Sequence, residues 1–170
     1  MNHPGGSSKG SSMADVAGKP VTRRCALASG QIRLGKEAFE LACRRELPKG
    51  DALALAEFAG IQAAKQTANL IPLCHPLALN RVALKSVPRP DAFAIEILCM
   101  AEIAARTGVE MEALSGAAMA LLTVWDLAKP VNPALQIDAV RLLYKTGGKR
   151  GTWVNPAGLS PEAESFLEEF

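Results

Sequence analysis

The sequence predicts an α+β fold in which an antiparallel sheet on one side packs against two long helices on the other. Two stretches rich in alanine and leucine, residues 51–69 and 110–129, predict the helices. Two stretches with alternating apolar residues, 79–87 and 92–104, predict strands. Because only a proline turn separates these strands, they are predicted to form an antiparallel hairpin, and helices beside such strands are typical of the α+β class.

The first half of the chain supplies a short helix, the first long helix and a constrained loop. Apolar residues among charges predict a short amphipathic helix over 35–45, and the Pro-Lys-Gly turn at 48–50 follows it. Asp51 is the predicted N-cap of the long helix. That helix has to end before Pro72, since a residue that precedes proline is pushed out of the helical conformation. Two prolines then bracket the loop 72–76.

The second half continues with the hairpin, the second long helix and a last strand. The hairpin turn is predicted at 88–91, where two prolines precede an aspartate. Pro130 ends the second long helix. Residues 135–144 are predicted to form the last strand, and residues 146–151 form a basic glycine loop.

We predict one domain, residues 15–154, between two tails. Residues 1–14 begin with a stretch rich in glycine and serine, which predicts a flexible N-terminal tail. Residues 155–170 form the C-terminal tail, in which Ser160-Pro161-Glu162 is typical of the start of a short helix.

The composition excludes several classes of protein. A formal net charge of +2 is too balanced for a protein that coats nucleic acid, and 5% aromatic residues are too few for base-stacking platforms. Charges interrupt the longest apolar stretches and the N-terminus lacks an apolar secretory segment, so we expect neither a membrane span nor secretion. No two of the four cysteines have C-x-x-C spacing, which predicts a reduced, cytoplasmic protein with mostly buried thiols and no metal site.

His75 is the first candidate for catalysis. Histidine changes charge near neutral pH, and Pro72 and Pro76 would fix its orientation as acid–base catalysis requires. The alternative is a loop histidine that only bonds to the backbone. Cys74 could be a nucleophile, but neighbouring residues of an extended chain point apart, so a buried structural thiol is the favoured interpretation.

Carboxylates lie at both ends of the second long helix. Glu110 and Glu112 occupy its first turn, where the helix dipole favours negative charge. One of them could point into a pocket, or both could be ordinary helix-terminal acids. Asp126 and Lys129 are three residues apart near its end and form either a modest exposed ion pair or an acid–base pair.

Basic residues concentrate in loops. Lys49 lies in the Pro-Lys-Gly-Asp turn, while Lys145, Lys149 and Arg150 flank two consecutive glycines. Glycines let backbone N–H groups approach an anion and lysines supply charge for phosphate, although the Walker A spacing is missing and a solvated loop is the alternative. With the histidine and the carboxylates, this set suits a phosphorylated, nitrogen-rich small molecule handled by acid–base chemistry.

Seven segments between residues 15 and 151 resemble, in order and spacing, the MoaC family of cyclic pyranopterin monophosphate synthases, which acts in molybdenum cofactor biosynthesis. The segments are KPVTRR (19–24), LPKGD (47–51), AGIQAAK (59–65), LIPLCHPL (70–77), RTGVEMEAL (106–114), LTVWDLAK (122–129) and RLLYKTGGKRG (141–151).

The resemblance implies an enzyme that converts 3′,8-cyclo-7,8-dihydro-GTP to cyclic pyranopterin monophosphate and releases pyrophosphate. It implies a ferredoxin-like α+β fold and a homohexamer, a trimer of dimers, with the active site at a subunit interface. No cofactor is expected to be required, and whether Mg²⁺ accompanies the triphosphate stays open. The expected partners are the nucleotide substrate and further copies of the chain, with neither nucleic acid nor membrane.

The resemblance also carries site residues over by position. Asp126 matches the family's catalytic aspartate, and Lys49, Lys129 and Lys145 match its active-site lysines, with His75 as a further catalytic candidate. The positions that match substrate contacts or polar residues of the pocket are Leu73, Cys74, His75, Met111, Glu112, Glu110 and Arg24.

The sequence departs from the family pattern in three places. Pro130 stands where alanine is usual and constrains the backbone of Lys129, which leaves the direction of that lysine open. Leu-Ala at 127–128 replaces a common Met-Cys, and Thr152 stands where an aspartate often follows the glycine loop. None of these removes a predicted catalytic residue, so an active enzyme is expected. The alternatives are a nucleotide-binding module without turnover and, less favoured by the charge, a small RNA-binding domain.

Overall fold

The structure is a computed structural model that describes residues 10–170, so residues 1–9 of the predicted N-terminal tail lie outside it. Residues 10–14 are exposed and have no regular secondary structure. The division into one domain and two tails stays a prediction. The elements are β1 (Thr22–Arg33), α1 (Lys36–Arg44), α2 (Ala52–Lys65), α3 (Thr67–Leu70), β2 (Arg81–Arg89), a 3₁₀ turn (Pro90–Ala92), β3 (Ala94–Ala105), α4 (Glu110–Ala128), β4 (Gln136–Thr146), β5 (Trp153–Val154) and α5 (Pro161–Glu168).

The sheet has the strand order β2-β3-β1-β4-β5, and every neighbouring pair is antiparallel. The predicted hairpin is present as β2 and β3. In each half of the fold, two strands joined through helix enclose a third strand that runs the opposite way, which is the split βαβ arrangement of ferredoxin-like folds. The predicted α+β class, with an antiparallel sheet against two long helices, is therefore confirmed, and those helices are α2 and α4.

The central strand β1 was not predicted from the sequence. It pairs with β3 on one side and β4 on the other, and residues 25–30 are all buried. A strand covered on both faces has no alternation of polar and apolar residues, and this one is built largely from small side chains. It therefore lacks the periodicity that identified β2 and β3.

Other boundaries shifted for local reasons. The predicted helix over 51–69 is divided at Gln66, and the Thr67 hydroxyl donates to the carbonyl oxygens of Ala63 and Ala64 just after the break. Pro88 lies inside β2 and not in the turn, which is tolerated because β2 is an edge strand.

The packing of α2 against α4 requires glycines at the crossing. A Cβ atom on Gly60 would lie 2.8 Å from the carbonyl oxygen of Gly116, and a Cβ atom on Gly116 would lie 2.5 Å from the Cys99 sulfur of β3. The two helices can therefore approach each other and the sheet closely, which fixes the course of α4. By length and apolar character α4 is also the one helix within residues 10–170 that could span a membrane, and 50% of that segment is buried in the domain.

The two faces of the sheet are covered differently. On β3, Ile95, Ile97 and Cys99 face the main core under the helices, as their spacing predicted, whereas Leu98 and Met100 belong to a second cluster on the opposite face. Helix α5 covers this second face with its buried residues Ala163 and Phe166. It starts as the Ser-Pro-Glu pattern predicted, with the Ser160 hydroxyl accepting a hydrogen bond from the backbone N–H of Ala163 at 3.2 Å.

All four cysteines are free thiols. Cys25 and Cys99 are buried, Cys74 is half-buried and Cys43 is exposed, so the expectation of mostly buried thiols holds for two of them.

Candidate active site

The C-terminal end of α4 carries one carboxylate between two lysines. The Asp126 carboxylate accepts a hydrogen bond from Lys129 Nζ at 2.7 Å and another from Lys49 Nζ at 2.9 Å. These bonds, the one from Lys129 first, lower the pKa of Asp126 from its ordinary value. The side chain of Asp126 is 52% exposed, so the three charges lie on an open surface.

Local structure explains why these three residues meet. Lys49 lies in a turn that Gly50 closes with a φ of +111°, a conformation that favours glycine. Asp51 then caps α2 by accepting a hydrogen bond from the Ala54 N–H. Lys129 follows the last residue of α4 with helical backbone angles, and its N–H still donates to the Trp125 carbonyl oxygen. Pro130 therefore ends the helix without turning Lys129 away from Asp126.

The N-terminal end of α4 carries a second, more enclosed group. Glu110 Oε1 accepts a hydrogen bond from Lys145 Nζ at 2.7 Å, and both side chains are less than a third exposed. This ion pair lies on a cavity of about 570 Å³, a volume typical of ligand pockets. Six cationic side chains and one carboxylate, Glu110, line the cavity. The cations are Lys19, Arg24, Arg106, Lys145, Lys149 and Arg150.

A smaller cavity of about 190 Å³ lies next to the first at the start of α4. Thr107, Gly108 and Glu110 line both cavities. The other residues of the smaller cavity are Ala14, Leu73, Cys74, His75, Leu77, Met111 and Glu112.

Two titratable groups of this smaller cavity are shifted by burial. The Glu112 side chain is only 4% exposed, and burial raises the pKa of its carboxyl above the ordinary value. Burial also raises the pKa of the Cys74 thiol, with the Glu112 charge adding to the effect. A thiol with a raised pKa is a poor nucleophile, which agrees with a contact role for Cys74.

The predicted site residues thus form two groups, one at each end of α4. The structure brings Arg24, Leu73, Cys74, His75, Glu110, Met111, Glu112 and Lys145 to its N-terminal end, and Lys49, Asp126 and Lys129 to its C-terminal end. At a helical rise of about 1.5 Å per residue, the Cα atoms of Glu110 and Asp126 lie about 24 Å apart along the axis. One protomer therefore does not place Asp126 beside Lys145.

The larger cavity also contains residues that the sequence analysis did not single out as site residues, namely Lys19, Thr22, Arg106 and Thr107. Isolated basic residues far apart in sequence have no motif. The start of β1 is brought beside the end of β3, where Thr22 pairs with Ala105, and this register places Lys19 near Arg106. The Arg106 Nε donates to the Lys19 carbonyl oxygen at 3.1 Å. The sequence did contain one signal for Lys19 and Arg106, because each is the first residue of a segment that carries the family resemblance.

The described residues form a further cavity of similar size, but it is a weaker candidate for the site. A cavity of equal volume, about 570 Å³, lies beside α5 and is lined by Arg89 and Glu162 among others, but by none of the predicted site residues. Arg89 is already paired there with Glu96 and Glu162. In the described part of the chain, no three His, Cys, Asp or Glu side chains are grouped to hold a metal ion.

Comparison with known proteins gives a consistent result. A sequence model of the MoaC family matches residues 13–148. The chain is 48% identical over 145 residues to a cyclic pyranopterin monophosphate synthase of Nostoc sp., with 85% of this chain and 86% of that protein covered. It is 47% identical over 141 residues to the enzyme of the same name from Rhodospirillum rubrum, with 83% and 85% covered. It is also 46% identical over 145 residues to a molybdenum cofactor biosynthesis bifunctional protein of Synechococcus elongatus, covering 85% of this chain and 46% of that protein.

Proposed function

The chain belongs to the MoaC family, and from that premise we propose that it converts 3′,8-cyclo-7,8-dihydro-GTP to cyclic pyranopterin monophosphate with release of pyrophosphate. It is an enzyme of molybdenum cofactor biosynthesis that acts on a small molecule. The observation that carries the proposal is the pair of adjacent cavities at the start of α4. One cavity is strongly cationic and suits a triphosphate, and the other offers His75 and a buried carboxyl to a nitrogen-rich ring.

Closure of the cyclic phosphate is the step that releases pyrophosphate. A hydroxyl oxygen of the sugar-derived part attacks the α-phosphorus, and its proton passes to a base. The bond from the α-phosphorus to the bridging oxygen breaks, and pyrophosphate leaves with the electron pair. The cations of the larger cavity would stabilise the charge that develops on the leaving group. Asp126, Lys129 and His75 are the candidates for the base.

Rearrangement of the purine to a pterin needs repeated proton transfers. Groups whose pKa values are shifted in opposite directions can divide such work between acid and base when both face one substrate, as they would in a site shared between protomers. Asp126 has a lowered pKa because of its lysine partners, which suits a charged carboxylate. Glu112 has a raised pKa because of burial, which suits a carboxyl that holds its proton more readily.

The separation of the two groups along α4 supports a shared site. We propose a homohexamer, a trimer of dimers, in which Lys49, Asp126 and Lys129 of one protomer face the cavities of a neighbour. In a two-fold dimer both protomers use the same surface, so two equivalent composite sites would form. Such an interface would also shield the exposed Asp126 cluster from water, and charges that are shielded from water interact more strongly.

We further propose that the enzyme works in the cytoplasm and needs no resident cofactor. Any Mg²⁺ would enter with the triphosphate of the substrate. Turnover in the presence of EDTA tests this. Unchanged turnover supports the proposal, and turnover that is lost with EDTA and restored by Mg²⁺ would show that the reaction needs the ion.

The experiment that tests the function is release of pyrophosphate from 3′,8-cyclo-7,8-dihydro-GTP by the purified protein. We expect Asp126→Ala to lower the rate by about 10²- to 10⁴-fold, the usual range for loss of an acid–base group. Glu37→Ala is the matched control, because Glu37 is an exposed carboxylate on α1, away from both cavities. Near-normal turnover of Asp126→Ala would remove the central assignment, and substrate binding without release would favour a binding module.

A further inference from the structure

The C-terminal segment, residues 152–170, lies outside the part of the chain that the family match covers. That match ends at residue 148, and none of the predicted site residues lies in the segment. The segment contains β5 and α5, and α5 lies on the outer face of the sheet, opposite α2 and α4. Its effect on the rest of the molecule depends on which parts of the sheet it contacts.

The start of the segment is fastened to the end of β4. In the sheet, Trp153 of β5 pairs with Lys145 of β4. Just after β5, the Asn155 backbone N–H donates to the Leu143 carbonyl oxygen at 2.8 Å. These bonds hold the last residues of β4 between two neighbouring strands, so the backbone of Lys145 is not at a free edge of the sheet.

Helix α5 is attached at both ends to β2. Near its start, the Glu162 carboxylate accepts two hydrogen bonds from Arg89, at 2.8 and 3.0 Å. Just after its end, the backbone oxygen of Phe170 accepts a hydrogen bond from Arg81 Nη1 at 2.7 Å, and the Arg81 guanidinium lies 4.0 Å from the centre of the Phe170 ring. Because Arg81 and Arg89 are the first and last residues of β2, residues 162–170 span the whole length of that strand.

Phe166 anchors the helix between these two attachments. Its side chain is only 6% exposed and belongs to the buried cluster on the outer face of the sheet. Strands β1, β3 and β4 contribute to the same cluster through Cys25, Met100 and Leu143. Burial of a phenylalanine ring is a large apolar contribution, so Phe166 is the residue on which the attachment of α5 depends most.

The end of α5 lies directly behind the larger cavity at the start of α4. A cavity of about 450 Å³ has Leu167 and Phe170 on one side and the ends of β1 and β4 on the other. Cys25 and Thr146, which pair with each other across β1 and β4, line both this cavity and the larger one. A single layer of strands therefore separates α5 from the candidate active site.

We propose that α5 is a positioning element, which holds the ends of β1 and β4 from the outer face of the sheet and so fixes Arg24 and Lys145 in the larger cavity. Strand ends open locally at little cost unless other contacts hold them. A displacement of about 1 Å in a site can lower a rate by about 10²-fold, so the support of these two strands matters for catalysis. The inference rests on the proposed function for its effect on turnover, whereas the support of the strands can be measured independently.

The first test is hydrogen–deuterium exchange of the full chain, read at the backbone amides of residues 22–26 and 143–146. We expect Phe166→Ala to speed exchange at these amides by about tenfold or more, because truncation of a buried phenylalanine removes most of the attachment. Arg81→Ala keeps the core, since Arg81 is exposed. It should speed exchange there by about two- to fivefold, the equivalent of one exposed cation–π contact.

Phe39→Ala is the matched control, because Phe39 is a buried phenylalanine of the main core on the helix side of the sheet. It should lower the melting temperature about as much as Phe166→Ala does, without the same acceleration at the two strand ends, since their local opening does not require global unfolding. Equal acceleration in Phe39→Ala would overturn the support of the strands by α5. Unchanged exchange in both Phe166→Ala and Arg81→Ala would overturn it as well, whether or not the protein turns over the substrate.

The second test is pyrophosphate release, measured at a temperature at which every variant is folded. Phe166→Ala should lower kcat/KM by about 10- to 10²-fold. Phe166→Leu, which refills much of the buried volume, should recover most of this loss. Faster exchange in Phe166→Ala with unchanged kcat/KM would overturn the positioning role. Faster exchange in a protein whose parent releases no pyrophosphate would keep the support of the strands and reject the proposed reaction.

Discussion

The two ends of α4 carry similar side chains in different surroundings. At its N-terminal end, Glu110 and Lys145 are mostly buried beside a half-open cavity, and Glu112 is almost inaccessible. At its C-terminal end, Asp126 and its two lysines are each at least 41% exposed. Charges in open water interact weakly, whereas the same charges shielded from water interact strongly. The N-terminal end therefore resembles a ligand pocket within one protomer. The C-terminal end would be shielded from water in the same way only if another protein surface covered it.

The largest expected effect tests whether the two ends act together across an interface. Asp126→Ala and Lys145→Ala should each lower turnover by about 10²- to 10⁴-fold. If each site takes one end of α4 from each of two protomers, co-expression of the two variants restores one intact site per mixed dimer. Random mixing then gives about a quarter of the wild-type rate, as two-fold symmetry requires.

The same mixture separates a shared site from a site within one protomer. Pyrophosphate release is measured for the co-expressed variants and for each variant alone at equal protein concentration. A mixture as inactive as its components would contradict the shared site. Co-expression of Asp126→Ala with Lys49→Ala is the control, because both residues belong to the same end and no intact site can form.

A second prediction concerns the glycine loop at the N-terminal end of α4. Gly148→Ala places a Cβ atom on the Arg24 guanidinium in a backbone conformation that alanine rarely adopts. We expect a loss of stability of about 1–3 kcal/mol from backbone strain. Displacement of Arg24 should also raise the KM for the substrate. Chemical denaturation and steady-state kinetics measure the two effects, and Gly158→Ala is the control at another positive φ, where a Cβ atom meets nothing within 4 Å. A normal KM for Gly148→Ala would show that Arg24 does not need this loop.

A third prediction uses the buried carboxyl of Glu112. Its pKa is raised by burial, so the folded state binds a proton more readily than the unfolded state does. The stability associated with this group is therefore complete below the ordinary value of 4.5 and is lost as the pH rises through the raised pKa. Glu112→Gln should melt a few degrees higher than the parent at pH 8, and the difference should vanish near pH 4.

Thermal melts of both proteins between pH 4 and pH 8 measure this difference. Glu37→Gln, at an exposed position of α1, should show no such pH dependence. A gain in stability from Glu112→Gln that is the same at every pH would mean that the Glu112 charge is not its cause. Loss of activity together with this gain would place the carboxyl among groups kept for function at a cost in stability.

The smallest effect is expected at Pro130. The hydrogen bond from Lys129 N–H to Trp125 and the contact of Lys129 with Asp126 are both present with proline in place. Pro130→Ala should therefore change kcat by less than about twofold, and stability should fall by about 0.4–1 kcal/mol, the usual effect of a more flexible unfolded chain. A large rise in kcat would show that the proline does hold Lys129 away from its working position.

Much of the fold could be predicted because local sequence patterns determine where many of its helices and strands begin and which face of a strand is buried. The alternation in β3, the cap at Asp51 and the start of α5 at Ser160 depend on residues near one another in sequence, and the structure contains all three. The central strand β1 could not be predicted in this way, because burial on both faces removes alternation. The break at Gln66 was also missed, since an alanine-rich stretch has no signal there strong enough to end a helix.

The features of the candidate site likewise fall into those that the sequence predicted and those that it did not. The sequence by itself determined which residue types are present, that Asp126 and Lys129 lie one turn apart at the end of one helix, and that the loop holding His75 lies between prolines. Only the tertiary structure decided that Lys49 pairs with Asp126 and that Lys145 pairs with Glu110. It also decided that cations from the start of β1 and from the ends of β3 and β4 surround one cavity. The physical reason is that strand register and helix packing bring together residues far apart in sequence, whereas a motif records only neighbours. The length of α4 then keeps the two groups apart within a single protomer.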